Sequence, residues 1–136
     1  MQNSEKHGLS PDKLNALLRK WQKDLMLNDW KLSLEFVVFT RKDYRQSGDI
    51  KVNPKKKTAI LLLTKDPFLD EEEVMIHELM HLLLWDLDIF CEKIVLEKCK
   101  LLKGRHGKYM DKLEKTVEHL TQIAIKINKK NQRHNL

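Results

Sequence analysis

Long apolar runs are missing from this chain. The longest, Ala59 to Leu63 and Leu82 to Trp85, fall far short of the roughly 20 residues a helix needs to cross a bilayer, which argues against a helical membrane span. Met1 to Gly8 is polar and has no apolar core of signal-peptide length, so export is not expected and a cytoplasmic location is. Cysteine is scarce as well, with two residues, Cys91 and Cys99. Eight positions apart in a predicted helix, they lie more than two turns and about 12 Å apart along the axis, too far to bond each other, and reduced thiols fit a cytoplasm. Four glycines and three prolines leave no glycine-rich phosphate loop, and neither an internal repeat nor a low-complexity segment precedes the polar C-terminal tail.

What is present suits a folded, soluble chain. Its 136 residues, 41% hydrophobic and 34% charged, match one ordinary domain that can bury a core without disulfides. The expectation is a single domain over residues 1–136, monomeric, with 1–9 and 129–136 flexible. The net charge of +6, with basic stretches at Lys55-Lys56-Lys57 and Lys126 to His134, raises a polyanion partner. Most lysines, however, are interspersed with acids, and no basic-aromatic interleaving accompanies them, so a solvated surface accounts for them better than nucleic-acid binding.

Periodicity divides the chain. Ser10 caps and Pro11 opens a predicted first helix reaching about Leu27, with Leu14, Leu17, Leu18, Trp21 and Leu25 on one stripe. Trp30 to Thr40 alternates apolar and polar residues and reads as a strand. A loop over Arg41 to Asp49 precedes a short strand around Ile50 to Val52, and Thr58 to Leu63 is a short apolar strand, the last of three. Asp66-Pro67 breaks it. Asp70 caps a helix running from about Glu71 to Asp86, whose positive end receives Glu71, Glu72 and Glu73. Asp88 to Lys103 is weakly helical, Gly104 and Gly107 mark a loop, and Lys108 to about Asn128 forms a last helix with Leu113, Val117, Leu120, Ala124 and Ile127 inward.

The chemistry concentrates in His77-Glu78-Leu79-Met80-His81. Residues four apart on a helix lie one above the other, so the imidazoles of His77 and His81 can converge on one zinc ion. Glu78, about 100° around the helix from His77, is placed beside such a metal without ligating it, where it can take a proton from a bound water. Chance could place these residues on a helix that merely packs. But Met75, Ile76, Leu79, Leu82 and Leu83 make the helix strongly apolar, and histidines and a glutamate buried there without purpose would be costly.

Hydrolytic zinc usually keeps three protein ligands and one open position. The third donor is open among His106, Glu114 and Glu118. Glu114 lies at the edge of the buried stripe of the last helix, Glu118 one turn on is nearer solvent and suited to accept a histidine ring proton, and His106 sits in a glycine-flanked loop. His7, His119 and His134 read as surface or tail residues.

These features together resemble the small gluzincin-like metallopeptidases (minigluzincins) and related metallopeptidases carried by phages and mobile elements. The likeness lies in the first helix with its tryptophan, Asn28-Asp29-Trp30-Lys31-Leu32, the Thr58 to Leu63 strand, His77 to Leu84, and Leu113-Glu114-Lys115-Thr116-Val117-Glu118. It implies a zincin-like domain in which Glu114 is the third zinc ligand and Glu118, four positions on, supports a histidine. It also implies that an extended peptide adds to the sheet edge along Thr58 to Leu63. His106-Gly107, with Trp85 four after His81, is similar to SprT-like metalloproteases, which use a third histidine and act on DNA-bound proteins.

The expected fold is therefore α+β: a sheet of about three strands packed on the motif-bearing helix, flanked by N- and C-terminal helices. The expected activity is zinc-dependent peptide hydrolysis with His77, His81 and Glu114 holding Zn2+, Glu78 as general base, and a peptide or protein as substrate. Tyr109 and His106 are candidate oxyanion donors. The alternatives are a catalytically silent zinc-binding interaction module and a SprT-like DNA-associated protease.

Overall fold

A computed structural model describes residues 9–39, 47–65, 70–98 and 105–134, with backbone only for Lys98, Arg105, His106, Arg133 and His134. Among the described residues the chain is α+β, with four helices and a three-stranded mixed sheet. It divides into two compact units, Met1–Leu79 and Met80–Leu136. The boundary falls inside the helix that carries the histidine motif.

The first unit opens with α1, Pro11–Asp24, where Ser10 Oγ accepts from the Lys13 N–H at 3.2 Å and Pro11 occupies the first turn. Leu14, Leu18 and Trp21 form its buried stripe. The helix stops before the predicted Leu27 because Met26 takes a left-handed backbone, φ 59°, which a helix cannot continue through. Buried Gln22 secures the turn that follows, donating from Nε2 to the carbonyls of Leu27 at 3.1 Å and Trp30 at 2.7 Å.

Three strands follow: β1, Lys31–Val37; β2, Gly48–Asn53; and β3, Thr58–Thr64. Their order is β1-β3-β2, with β3 parallel to β1 and antiparallel to β2. The central position explains why β3 is a nearly unbroken apolar run, with Ala59, Leu61, Leu62 and Leu63 all buried, while β1 and β2 alternate. It also corrects the expectation that a peptide adds along Thr58 to Leu63. Both edges of that strand are already paired, so no ladder groups remain there for an incoming chain.

Helix α2, Glu71–Leu83, begins at Asp70, whose Oδ1 accepts from the Glu73 N–H at 2.9 Å. Two contacts fasten its start within the first unit: Trp21 Nε1 donates to Glu72 Oε2 at 2.7 Å, and the Leu9 N–H donates to Glu71 Oε1 at 2.9 Å. Met75, Ile76 and Leu79 are fully buried.

The second unit holds the end of α2, then α3, Trp85–Lys98, and α4, Arg105–His134. The predicted end of the motif helix at Asp86 is replaced by a break at Leu84, after which α3 starts. Helix α4 begins three residues earlier than predicted and runs on to His134, taking in both Gly107 and the segment expected to fray. Gly107 is thus in the first helical turn and not in a loop, a place where a glycine is tolerated although it stabilises less than alanine. Tyr109 Oη binds α4 to α3, donating to the Asp88 carboxylate at 2.7 Å and lying 3.1 Å from the Asp88 carbonyl. Cys91 is a free thiol, and Cys99 lies outside the described residues.

Candidate metal centre

Helix α2 presents His77 and His81 one turn apart, as its 3.6-residue period requires. Both imidazoles are half-buried. Glu114 approaches from α4, and its Oε1 lies 2.9 Å from His81 Nε2. One ligand-capable atom from each of His77, His81 and Glu114 lies within 4.8 Å of the others. Two nitrogens and a carboxylate oxygen form a donor set suited to zinc, in which bonds of 2.0–2.1 Å would separate tetrahedral ligands by roughly 3.3 Å. The three side chains therefore stand close enough to hold one ion between them.

Of the three candidate third donors, Glu114 joins the two histidines. Glu118 lies outside the cluster on the exposed side of α4, where its Oε1 accepts from Gln122 Nε2 at 2.9 Å. His106 belongs to the first turn of α4, and its side chain is outside the described residues, as is all of His7. His119 is exposed, as a surface residue should be. The Tyr109 hydroxyl, a sequence-level candidate for the oxyanion donor, is engaged by Asp88. Desolvation, and then the hydrogen bond to that carboxylate, hold the phenol above its ordinary pKa.

Glu78 follows His77 and is buried, with only 8% of its surface exposed. Its setting includes a residue that the sequence reading placed in a loop and assigned no role. Gly48 opens β2, and a Cβ built on it would stand 3.4 Å from Glu78 Oε2 and 2.6 Å from Val74 Cγ1. The edge strand therefore runs directly against the turn of α2 that bears the acid. A lone glycine at the head of a strand pattern was the available signal, since glycine in a strand marks a close approach of some other group.

The ladder places β2 further. The Thr64 N–H donates to the Ser47 carbonyl at 2.9 Å, and hydrogen-bonded and non-bonded pairs alternate along an antiparallel ladder. The backbone groups of Gly48, Ile50 and Val52 consequently point to the outer edge of the sheet. In keeping with this, the Ile50 N–H is taken by Asp49 Oδ1 at 2.8 Å and not by β3.

Comparison of the chain with protein-family models, with curated proteins and with solved structures found no match.

Proposed function

We propose that this protein is a zinc-dependent peptidase of gluzincin type, in which His77, His81 and Glu114 hold the metal and Glu78 is the general base. The observation that carries the reading is the convergence of those three donors beside a buried carboxylate one residue after the first histidine. Zinc, when bound, would bring the pKa of a water ligand to near neutrality and polarise a peptide carbonyl.

The remaining steps belong to the chain. Glu78 accepts the proton of the attacking water as the new carbon–oxygen bond forms, then passes it to the amide nitrogen as the carbon–nitrogen bond breaks. A substrate backbone would lie along the outer edge of β2, the strand that touches the Glu78 turn, because β3 is paired on both sides.

Elemental analysis of the purified protein, together with a broad peptide library, tests the reading. One zinc per chain, cleavage abolished by chelation, and a Glu78→Gln variant that keeps zinc but loses cleavage are the expected results. Zinc without cleavage by the parent protein would leave an interaction module held by metal. Loss of zinc in His106→Ala but not in Glu114→Ala would move the third ligand to the histidine and favour the DNA-associated alternative.

A further inference from the structure

We propose that Gly48 is a positioning residue for the Glu78 carboxylate, an inference that rests on the proposed function only for its catalytic consequence. Glycine is a poor strand residue, since it costs more backbone entropy than alanine and brings no side chain to pack. Nothing in the backbone at Gly48 demands it, because the φ there lies outside the left-handed range. What demands it is space. A Cβ would stand 2.6 Å from Val74 Cγ1, closer than real Cβ contacts allow, 3.3 Å from the Leu62 carbonyl oxygen and 3.4 Å from Glu78 Oε2.

The three neighbours have different freedoms. The Leu62 oxygen belongs to the central strand and is opposed across the β2–β3 ladder, so it is the least able to yield. The Val74 side chain is branched at Cβ and has one favoured rotamer in a helix, so relief at Val74 requires movement of the α2 backbone or of β2. Val74 and Glu78 are four apart on α2 and lie on one face. Any displacement that frees Val74 therefore carries Glu78 with it. The glycine thus sets the distance between the edge strand and the helical turn holding the acid, and Val74 is the side chain through which that distance is felt.

The test uses the full-length protein and two readouts. In the chelator-treated protein, the Glu78 side-chain carboxyl carbon is followed by NMR, assigned through Glu78→Gln. Gly48→Ala is expected to shift this resonance, and Gly48→Ala with Val74→Ala to return it to the parent position, because the smaller side chain removes the 2.6 Å collision with α2 and leaves the 3.3 Å approach to the Leu62 oxygen, which is relieved by a few tenths of an ångström within the β2–β3 ladder and not through α2. In the zinc-loaded protein Gly48→Ala should lower kcat by on the order of a hundredfold with KM and zinc content nearly unchanged, as expected for a reacting group displaced by about an ångström. The double variant should recover most of the loss. An unmoved Glu78 resonance in Gly48→Ala, or a double variant that folds without restoring it, overturns the proposal. If Gly48→Ala alone does not fold, the double variant must fold and carry the parent resonance, and failure to do so also overturns it. A shift that Val74→Ala reverses, in a parent protein that cleaves nothing, would defeat the peptidase reading and leave Gly48 as the residue that seats this carboxylate.

Discussion

His81 Nε2 and Glu114 Oε1 stand 2.9 Å apart, one on α2 and the other on α4. A half-exposed carboxylate paired with a histidine contributes little by itself in water, so the weight of this contact lies in what the two groups could share. Because a ligand that binds only the folded state stabilises it by mass action, zinc at a hundredfold excess over its dissociation constant should add about 2.7 kcal/mol. Thermal melts of chelator-treated protein should rise by several degrees on adding zinc, and magnesium, which prefers octahedral oxygen sites, should not reproduce the effect. In His77→Ala, His81→Ala and Glu114→Ala the rise should shrink or vanish. An equal rise in all three would remove the metal centre.

The indole of Trp21 meets the carboxylate of Glu72 at 2.7 Å, joining α1 to the start of α2. A hydrogen bond to a charged acceptor is worth about 1.5–3 kcal/mol. Trp21→Phe removes the donor and also some buried apolar volume, so denaturant unfolding should show a loss at or above that range. Glu72→Gln, which keeps an acceptor in place, should lose less. A loss in Trp21→Phe with none in Glu72→Gln would show that packing, and not the charge of the acceptor, matters at this contact.

Gly107 is the counterpart of Gly48. Among the described residues, apart from its chain neighbours and its own helix backbone, no atom would lie within 4 Å of a Cβ built there, and the residue sits near the start of a helix, where alanine costs less entropy. Gly107→Ala should stabilise the protein by up to about 1 kcal/mol without changing zinc content. A destabilised variant would contradict the helical placement of this residue.

Tyr109 should ionise late. Its pKa is raised above the ordinary value of 10.0 by desolvation, then by the hydrogen bond to Asp88. A group whose folded pKa exceeds its unfolded one contributes stability that is fully present below the unfolded value and is lost as pH rises towards the folded one. Ultraviolet titration should therefore contain a phenolate component above pH 10 that disappears in Tyr109→Phe, and the parent should lose more stability than the variant as pH climbs beyond 10. At neutral pH kcat in Tyr109→Phe decides the oxyanion role: a kcat that is kept assigns the hydroxyl to the α3–α4 contact with Asp88, and a large loss makes it an oxyanion donor.

Much of the local structure was legible in the residues. Ser10 and Asp70 cap the helices that their side chains suggested, and the apolar stripe of α1 is buried at Leu14, Leu18 and Trp21. All three strands form where expected, although β2 exceeds the predicted Ile50 to Val52 at both ends, taking Gly48 and Asp49 from the predicted loop, and β3 runs one residue past Leu63. Helix limits were less legible. The stop at Met26 depends on a left-handed backbone held by the Gln22 amide, and the early start of α4 depends on Gly107 accepting a helical turn where glycine usually signals a loop. Neither leaves a mark in hydrophobic period.

Short-range chemistry in the chain itself determines that His77 and His81 share a helical face with Glu78 beside them, because 3.6 residues per turn leave no other arrangement once the helix forms. Strand order, by contrast, is a matter of long-range pairing: only the assembled sheet places β3 in the middle and brings Gly48 against Val74 and Glu78. The choice of Glu114 over Glu118 as the carboxylate beside His81 is of the same kind. The two acids lie one turn apart on α4 with similar neighbours in sequence, and what tertiary packing adds is the 2.9 Å approach of Glu114 Oε1 to an imidazole on another helix.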